Sequence, residues 1–255
     1  MMLMMMFVLM PRAQVSAGRI HEVLNSSSDV IDPQTETPTA ETGTVEFRNV
    51  SFGYGKGEEE VLGNISFRAE KGQTVAFIGA TGSGKTTLVN LVPRFYDATA
   101  GEVLVDGVNV KELKQETLRK KIGIVPQKGI LFSGSVKENI AFSDPSIPQE
   151  TIEEAAKIAE ADPFIREMPE GYDSPISQGG KNVSGGQKQR LCIARAIATG
   201  AEILIFDDSF SALDYKTDRK VRENLAEYAK GTTKLIVAQR IGTIMDADLI
   251  VVLDE

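Results

Sequence analysis

Gly79-Ala-Thr-Gly-Ser-Gly-Lys-Thr86 packs three glycines, one lysine and three hydroxyls into eight residues. Glycines let backbone N–H groups turn inward and converge on an anion, and a lysine among them bridges phosphate oxygens. The hydroxyl of Thr86 suits a hard cation such as Mg2+. The flanks fit this chemistry: Val75 to Ile78 is a short apolar run of strand character, and Leu88 to Val92 has helical spacing. An ordinary glycine-rich turn is the plain alternative, and such flanks weigh against it.

Two further segments could complete a phosphate site. Ile203-Leu-Ile-Phe-Asp207 is an apolar strand ending in a carboxylate, which in phosphate-loop NTPases holds Mg2+ across from the loop. Taken alone, such a run is usually only a strand end. Val183-Ser-Gly-Gly-Gln187 precedes a helix over Lys188 to Ala198, whose buried side is Leu191, Ala194 and Ala198. Ser184, Gly185 and Gly186 would expose donors and a hydroxyl at a helix start, a second anion site. A plain helix cap with flexible glycines fits equally.

Composition narrows the function. The formal charge is 28 − 36 = −8, with no basic run interleaved with aromatics, so nucleic acid is excluded as a partner. Cys192 is the single cysteine, set in an apolar helical pattern, and reads as a buried small hydrophobe in a reducing, cytosolic compartment. His21 is the single histidine and lies far from every motif, so imidazole catalysis has no candidate in the main domain.

These motifs need elements to hold them. Short apolar runs at Val75 to Ile78, Ile203 to Phe206, Leu235 to Ala238 and Leu249 to Leu253 predict parallel strands buried on both faces. Val45, Phe47, Ile65 and Phe67 alternate with polar residues around a glycine-rich turn at Gly53 to Gly57, which predicts an antiparallel hairpin region. Helical periodicity over Glu150 to Ile165, carried by Ile152, Ala155, Ala156, Ile158 and Ala159, predicts part of a helical lobe. Asn25 to Gly43 is rich in Ser, Thr, Asp, Glu and Pro and reads as a linker. The first ten residues are apolar, but a bilayer needs about 20. A signal-peptide core, a buried core helix and the cut end of a transmembrane helix compete there. The last is preferred, because Val15, Ile20, Val23 and Leu24 continue at helical spacing among Arg12, Arg19 and Glu22.

Val183 to Gln187 followed by Lys188-Gln-Arg190 resembles the signature of the ABC ATPase family, and the loop, the signature and the Asp207 strand stand in that family's order. The resemblance covers nearly all of Val45 to Glu255. It implies an α/β fold: a P-loop NTPase-type, mostly parallel sheet with helices on both faces, an antiparallel β subdomain and an α-helical subdomain. It implies ATP and Mg2+ as cofactors. Gly79, Thr81, Gly82, Ser83, Gly84, Lys85, Thr86 and Thr87 would contact the phosphates of ATP, and Thr86, Gln127 and Asp207 the metal. Tyr54 matches the aromatic that stacks on adenine, Gln127 in Ile124-Val-Pro-Gln the glutamine that senses Mg2+ and the transport domain, and Asp214 the loop that crosses between subunits. Their plain alternatives are a hairpin aromatic, a solvated strand end and a helix cap. Gln178 to Lys181 matches a cross-contact loop of exporters, and Arg12 to Leu24 the region joining a last transmembrane helix to the ATPase. The resemblance thus divides the chain into the end of a transmembrane helix with its cytosolic extension (1–24), a linker (25–44) and the ATPase domain (45–255), truncated at both ends. The expected setting is the cell membrane, ATPase domain on the cytoplasmic side.

Two positions depart from the family. Hydrolytic members carry glutamate after the metal-binding aspartate, whereas this chain has Asp208. One methylene less sets the carboxylate about 1.5 Å back from the attacking water, worth on the order of a hundredfold in rate. At Ala238-Gln239-Arg240 the family places a switch histidine, and here stands Gln239. A glutamine can orient water in some GTPases. The family's ATPase domains pair head to tail, each site joining one chain's loop to the other's signature. The expectation is therefore a heterodimeric half-transporter: a degenerate site on Lys85, with Ser184, Gly185, Gly186 and Gln187 serving the partner's site. Its other partners would be its own membrane domain and a transported small molecule. Three rivals are a non-hydrolytic regulatory clamp, a soluble ABC ATPase of translation or DNA repair, and a metabolite kinase.

Overall fold

The computed structural model describes residues 2–55 and 59–254, so the Gly57 end of the predicted hairpin turn lies outside the described residues. The chain forms two compact units, Met1–Ile31 and Asp32–Glu255. The first is one helix, α1 (Met2–Asn25), with Pro11 inside it. Phe7, Met10, Val15, Ile20, Val23 and Leu24 are exposed along it. Among the described residues no helix is long and apolar enough to cross a membrane.

The second unit runs β1 (Val45–Phe52), β2 (Leu62–Ala69), β3 (Thr74–Gly79), α2 (Lys85–Leu91), β4 (Ala100–Val105), β5 (Val108–Asn109), α3 (Gln115–Lys120) and β6 (Ile122–Val125). It continues through β7 (Gly134–Ser135), α4 (Val136–Ile140), α5 (Gln149–Ile158), α6 (Asp162–Glu167), β8 (Pro175–Ile176) and α7 (Gly185–Ala198). It ends with β9 (Ile203–Asp207), α8 (Tyr215–Tyr228), β10 (Thr233–Val237), α9 (Ile241–Ile244) and β11 (Leu249–Leu253). A five-stranded sheet in the order β11-β3-β10-β9-β6 is parallel throughout. A four-stranded antiparallel sheet in the order β2-β1-β4-β5 lies apart from it in pairing.

Period-two side-chain alternation lets the parallel sheet serve two cores. Val75, Phe77, Ile203, Ile205, Leu235 and Val237 pack with the antiparallel sheet and with Leu88 and Leu91 of α2. Ala76, Leu204, Phe206 and Ile236 point to the other side, into a core with α4, α5 and α7. This is the fold class that the motifs imply: a mostly parallel α/β sheet, an antiparallel β lobe and a helical lobe.

Several sequence expectations are corrected. The helical stretch Glu150 to Ile165 is two helices, because Glu160 adopts φ +55 between them and Pro163 cannot continue α5. Leu249 to Leu253 is a parallel strand but is not buried on both faces: it is an edge strand, and Leu249, Ile250 and Val252 are exposed. The helix after Val183 begins at Gly185 rather than Lys188. Strands β4, β5 and β6 carry no continuous apolar run of the kind that marks the buried strands. Gly101 and Gly107 at positive φ interrupt the apolar alternation of the first two, and β6 is only four residues long.

The segment 32–44 has no regular structure, yet it is bonded along the domain. Asp32 accepts from the backbone N–H of Gln115 at 3.0 Å, and Glu36 accepts from that of Lys114 at 3.2 Å. Lys114 offers α3 no side-chain cap of its own, so these carboxylates occupy orphan donors at the helix start. Asp106 accepts from Thr44 N at 3.0 Å where the segment enters β1.

Candidate functional site

The site forms where β3, β10, β9 and β6 finish at the carboxyl end of the parallel sheet, the usual location for ligands in open α/β sheets. β3 ends at Gly79, and the chain turns through Gly82 (φ +93) and Gly84 (φ +82) into α2. A Cβ on Gly84 would stand 2.7 Å from Leu62 Cδ2 and 3.0 Å from Val61 O, and one on Gly79 would stand 2.3 Å from Leu253 O. Only glycine fits either place. Lys85 is buried, and its ammonium donates to Gly79 O at 3.0 Å, to Ala80 O and to Ser83 Oγ at 3.1 Å, so the lysine is folded back over its own loop.

Thr86, one residue on, donates its hydroxyl to the Asp207 carboxylate at 2.9 and 3.1 Å. This contact spans 121 residues of sequence and joins the two metal-type ligands. Burial pushes the Asp207 carboxyl above the ordinary value. The Thr86 hydrogen bond works against this, the neighbouring Asp208 carboxylate adds to it, and the Lys85 charge opposes it. A hydroxyl and a carboxylate side by side are the hard-oxygen pair that Mg2+ takes from protein when phosphates and water supply the rest. Among the described residues no group of three His, Cys, Asp or Glu could hold a metal, so an all-protein cage is absent there.

Asp208 adopts φ +45, a conformation that aspartate tolerates better than most residues. Its N–H donates to Val237 O at 3.0 Å. Its Oδ2 accepts from Gln127 Nε2 at 3.2 Å and from Gln239 Nε2 at 3.1 Å. Gln127 follows β6 by two residues, and Gln239 follows β10 by two. Among the described hydrogen bonds, those of Gln127 go to neither Thr86 nor Asp207. Ser209 ties the same turn to β6 through Val125 O at 2.7 Å.

Tyr54 lies beside α2, its hydroxyl 2.8 Å from Thr87 Oγ1. Its ring meets Phe52 and Tyr96 edge-on at 4.9 and 5.2 Å and remains half exposed. Tyr96 belongs to this aromatic group but carries no motif, and nothing in its sequence surroundings marks it.

The second anion-type segment is built separately. Ser184 caps α7: its Oγ accepts from Gln187 N at 3.2 Å, and Gln187 Oε1 accepts from Ser184 N at 2.9 Å. This is the reciprocal capping box, so the cap geometry is realised at the signature. A Cβ on Gly185 would meet open space, and one on Gly186 would lie 3.5 Å from Ala212 O. Asp214 caps α8 through Thr217 N at 3.0 Å. The preceding turn is held by Arg240, which donates to Ser211 O at 3.1 Å and Leu213 O at 3.4 Å. Within Gln178 to Lys181, Gln178–Gly180 forms one short 3-10 turn with Gly179 and Gly180 at positive φ, and Lys188 Nζ donates to Gly179 O at 2.8 Å. Among the described residues, no hydrogen bond joins Ser184 to Gln187 with the phosphate loop. Hydrogen bonds thus link Tyr54 to Thr87, Thr86 to Asp207, and Gln127 and Gln239 to Asp208, and none of those described joins the segment 184–187, or Asp214, to this group.

A cavity of about 420 Å3 lined by Tyr215, Arg222, Lys234 and Met245 contains none of these residues. Phosphate recognition by a backbone cradle needs no deep apolar cavity, so the loop geometry is the better guide to chemistry.

A profile of the ABC transporter family matches residues 62–211. A putative multidrug export ATP-binding/permease protein of Staphylococcus aureus strain NCTC 8325 is 47% identical over 212 residues, 83% of this chain and 37% of that protein. Its counterpart in strain bovine RF122 is 46% identical over an equal span. Among solved structures, a bacterial Atm1-family ABC exporter with ATP bound superposes with a TM-score of 0.89 at 34% identity, covering 98% of this chain and 44% of that one. The chain spans about 37% of the length of the curated relatives it matches.

Proposed function

Because that profile covers more than half of the chain, the protein belongs to the ABC transporter family, and we propose that it is the ATP-binding part of an exporter subunit with a slow, long-lived nucleotide site of its own. The observation that carries this reading is the meeting of Thr86 with Asp207 at 2.9 Å, beside an Asp208 whose carboxylate is given to two glutamine amides.

In this reading the backbone from Gly79 to Gly84 cradles the ATP phosphates, Lys85 exchanges its loop oxygens for phosphate oxygens, and Tyr54 stacks on the base. Thr86 and Asp207 hold Mg2+, which when bound neutralises phosphate charge. Asp208 and Gln239 orient water weakly, so the site on Lys85 keeps ATP while turnover occurs elsewhere. Ser184 to Gln187 would complete the phosphate site of a second, different half-transporter, whose loop side supplies glutamate and histidine.

The names of the S. aureus relatives and the likeness to an ATP-bound exporter support an exporter in the cell membrane with this domain in the cytoplasm. Residues 1–24 would then continue from a transmembrane helix, 25–44 connect, and 45–255 form the ATPase. Exposed Phe132 and Phe142, stacked with ring centroids 4.3 Å apart, offer an apolar surface to the chain's own membrane domain. The transported small molecule would bind in that domain. A second reading is a regulatory clamp that binds ATP without hydrolysis, favoured by the amides that occupy Asp208.

The test is turnover of the co-expressed pair with Asp208→Glu plus Gln239→His, and separately with Ser184→Ala. The first is expected to raise hydrolysis at the Lys85 site, the second to depress total turnover. Hydrolysis of roughly 1 to 10 ATP per second by the purified chain alone would sink the slow-site reading. Nucleotide occlusion without transport of any substrate would favour the clamp.

A further inference from the structure

The two departures from the family pattern touch each other. Asp208 follows β9, which lies between β10 and β6 in the sheet, and each of these two neighbours sends one glutamine amide to the same oxygen, Oδ2, at 3.1 and 3.2 Å. The amides come from opposite sides of β9. The left-handed turn at Asp208 and the bond from its N–H to Val237 O fix where the carboxylate stands. A glutamate at 208 would carry its carboxylate one methylene past both donors. A residue without a side-chain N–H at 239 would leave that oxygen with one amide instead of two.

We propose that Asp208 and Gln239 are a matched pair, in which Gln239 acts as a positioning residue that, with Gln127, holds the Asp208 carboxylate beside the Mg2+ ligand Asp207. The departures are then one coupled adaptation rather than two separate losses. Each is expected to be harmful without the other. The pairing rests on the geometry alone, and its effect on nucleotide retention rests on the reading that the Lys85 site binds ATP and Mg2+.

The bond has a polarity that can be reversed. Gln239→Glu sets a second carboxylate where the amide stood, 3.1 Å from Oδ2, and Asp208→Asn turns the acceptor into an amide facing two amide donors. Made together, the two changes exchange donor and acceptor. The new amide at 208 carries two N–H groups, one for position 239 and one for Gln127, whose own amide can rotate to present its oxygen.

The experiment is a double-mutant cycle on the full 255-residue chain with two readouts. Urea unfolding without nucleotide measures the pair directly. A coupling of at least about tenfold in the unfolding equilibrium, 1.4 kcal/mol, is expected, with the double variant near wild type. The release rate of a fluorescent ATP analogue with Mg2+ measures positioning. Each single change is expected to speed release about tenfold, and the reversed pair to bring it back within about twofold. Coupling below twofold would overturn the matched pair. Coupling in unfolding with no recovery of slow release would overturn the positioning role and leave only a structural bond. If the unaltered chain does not bind the analogue, and Lys85→Ala behaves identically to it, the proposed function fails, while the unfolding cycle still decides the pair.

Discussion

Ser184 separates a helix cap from a catalytic contribution, because one substitution can keep the first while destroying the second. Its Oγ takes one orphan N–H of α7, that of Gln187 at 3.2 Å, and Gln187 returns the bond to Ser184 N. Ser184→Ala removes one half of this box and should cost about 1 kcal/mol, or roughly 2–4 °C in melting temperature for a domain of this size. Ser184→Asp should cost almost nothing in stability, since aspartate caps as well as serine and its charge suits a helix N-terminus. If a partner's ATP phosphate docks at this helix start, the same aspartate sets like charges about 4 Å apart. With an effective dielectric near 20 that is about 4 kcal/mol, or roughly a thousandfold in turnover. The assay is thermal melting of the domain beside ATPase turnover of the assembled transporter, for both variants. A Ser184→Asp transporter that melts and turns over like wild type would refute the trans-acting role and leave Ser184 as a cap.

The other predictions concern the loop and its supports. Gly84→Ala forces a Cβ into φ +82 and to 2.7 Å from Leu62 Cδ2, so melting should fall by the equivalent of about 1–3 kcal/mol and fluorescent-nucleotide binding should weaken with it. Asp207→Asn removes a buried carboxylate whose ionisation burial disfavours. The raised carboxyl contributes stability below the unfolded value and loses it as pH rises through the folded one. The variant should therefore melt higher than wild type at neutral pH but not at low pH, while losing Mg2+-dependent nucleotide binding. A lower neutral-pH melting temperature would count against that burial cost. The backbone bond from Gln115 holds the Asp32 carboxyl below its ordinary 3.8, so its contribution is present above that value and lost as pH falls through the folded one. Asp32→Asn with Glu36→Gln should speed amide exchange over 32–44 and 115–120 at neutral pH, and unchanged protection would mean that other contacts hold the segment.

The parts of the fold that were legible in the sequence are those with a local cause. The loop from Gly79 to Thr86 is legible because its glycines and lysine have no cheaper use, and the buried strands because their apolar runs are continuous. The break at Glu160 is not, since Ala159 and Ala161 are both buried and carry the periodicity across it while only the backbone departs. The exposed side of β11 is hidden for the converse reason: its composition reads as core, and its edge position is a property of sheet order. For the site, residue types at 208 and 239 already mark a departure, but not that the two touch. That contact depends on β9 lying between β10 and β6, which no spacing in the chain encodes. The bonds from Asp32 and Glu36 to the start of α3 are invisible likewise, because a Ser-, Glu- and Pro-rich stretch looks the same whether it hangs free or lies along a helix terminus.

The place of β3 in the parallel sheet bears on how the protein is made. The loop strand is flanked by β10 and β11, and Gly79 lies opposite Leu253, which closes against its backbone. A ribosome that has delivered the loop must still add more than 150 residues before either neighbour exists. The nascent chain thus carries a complete phosphate-binding sequence long before it has a phosphate-binding site. Such sequence-distant pairing is slow to form, and competence to grip nucleotide should be acquired only after β10 and β11 have been made. Nucleotide in the surrounding solution would then stabilise only chains in which β11 has docked on β3.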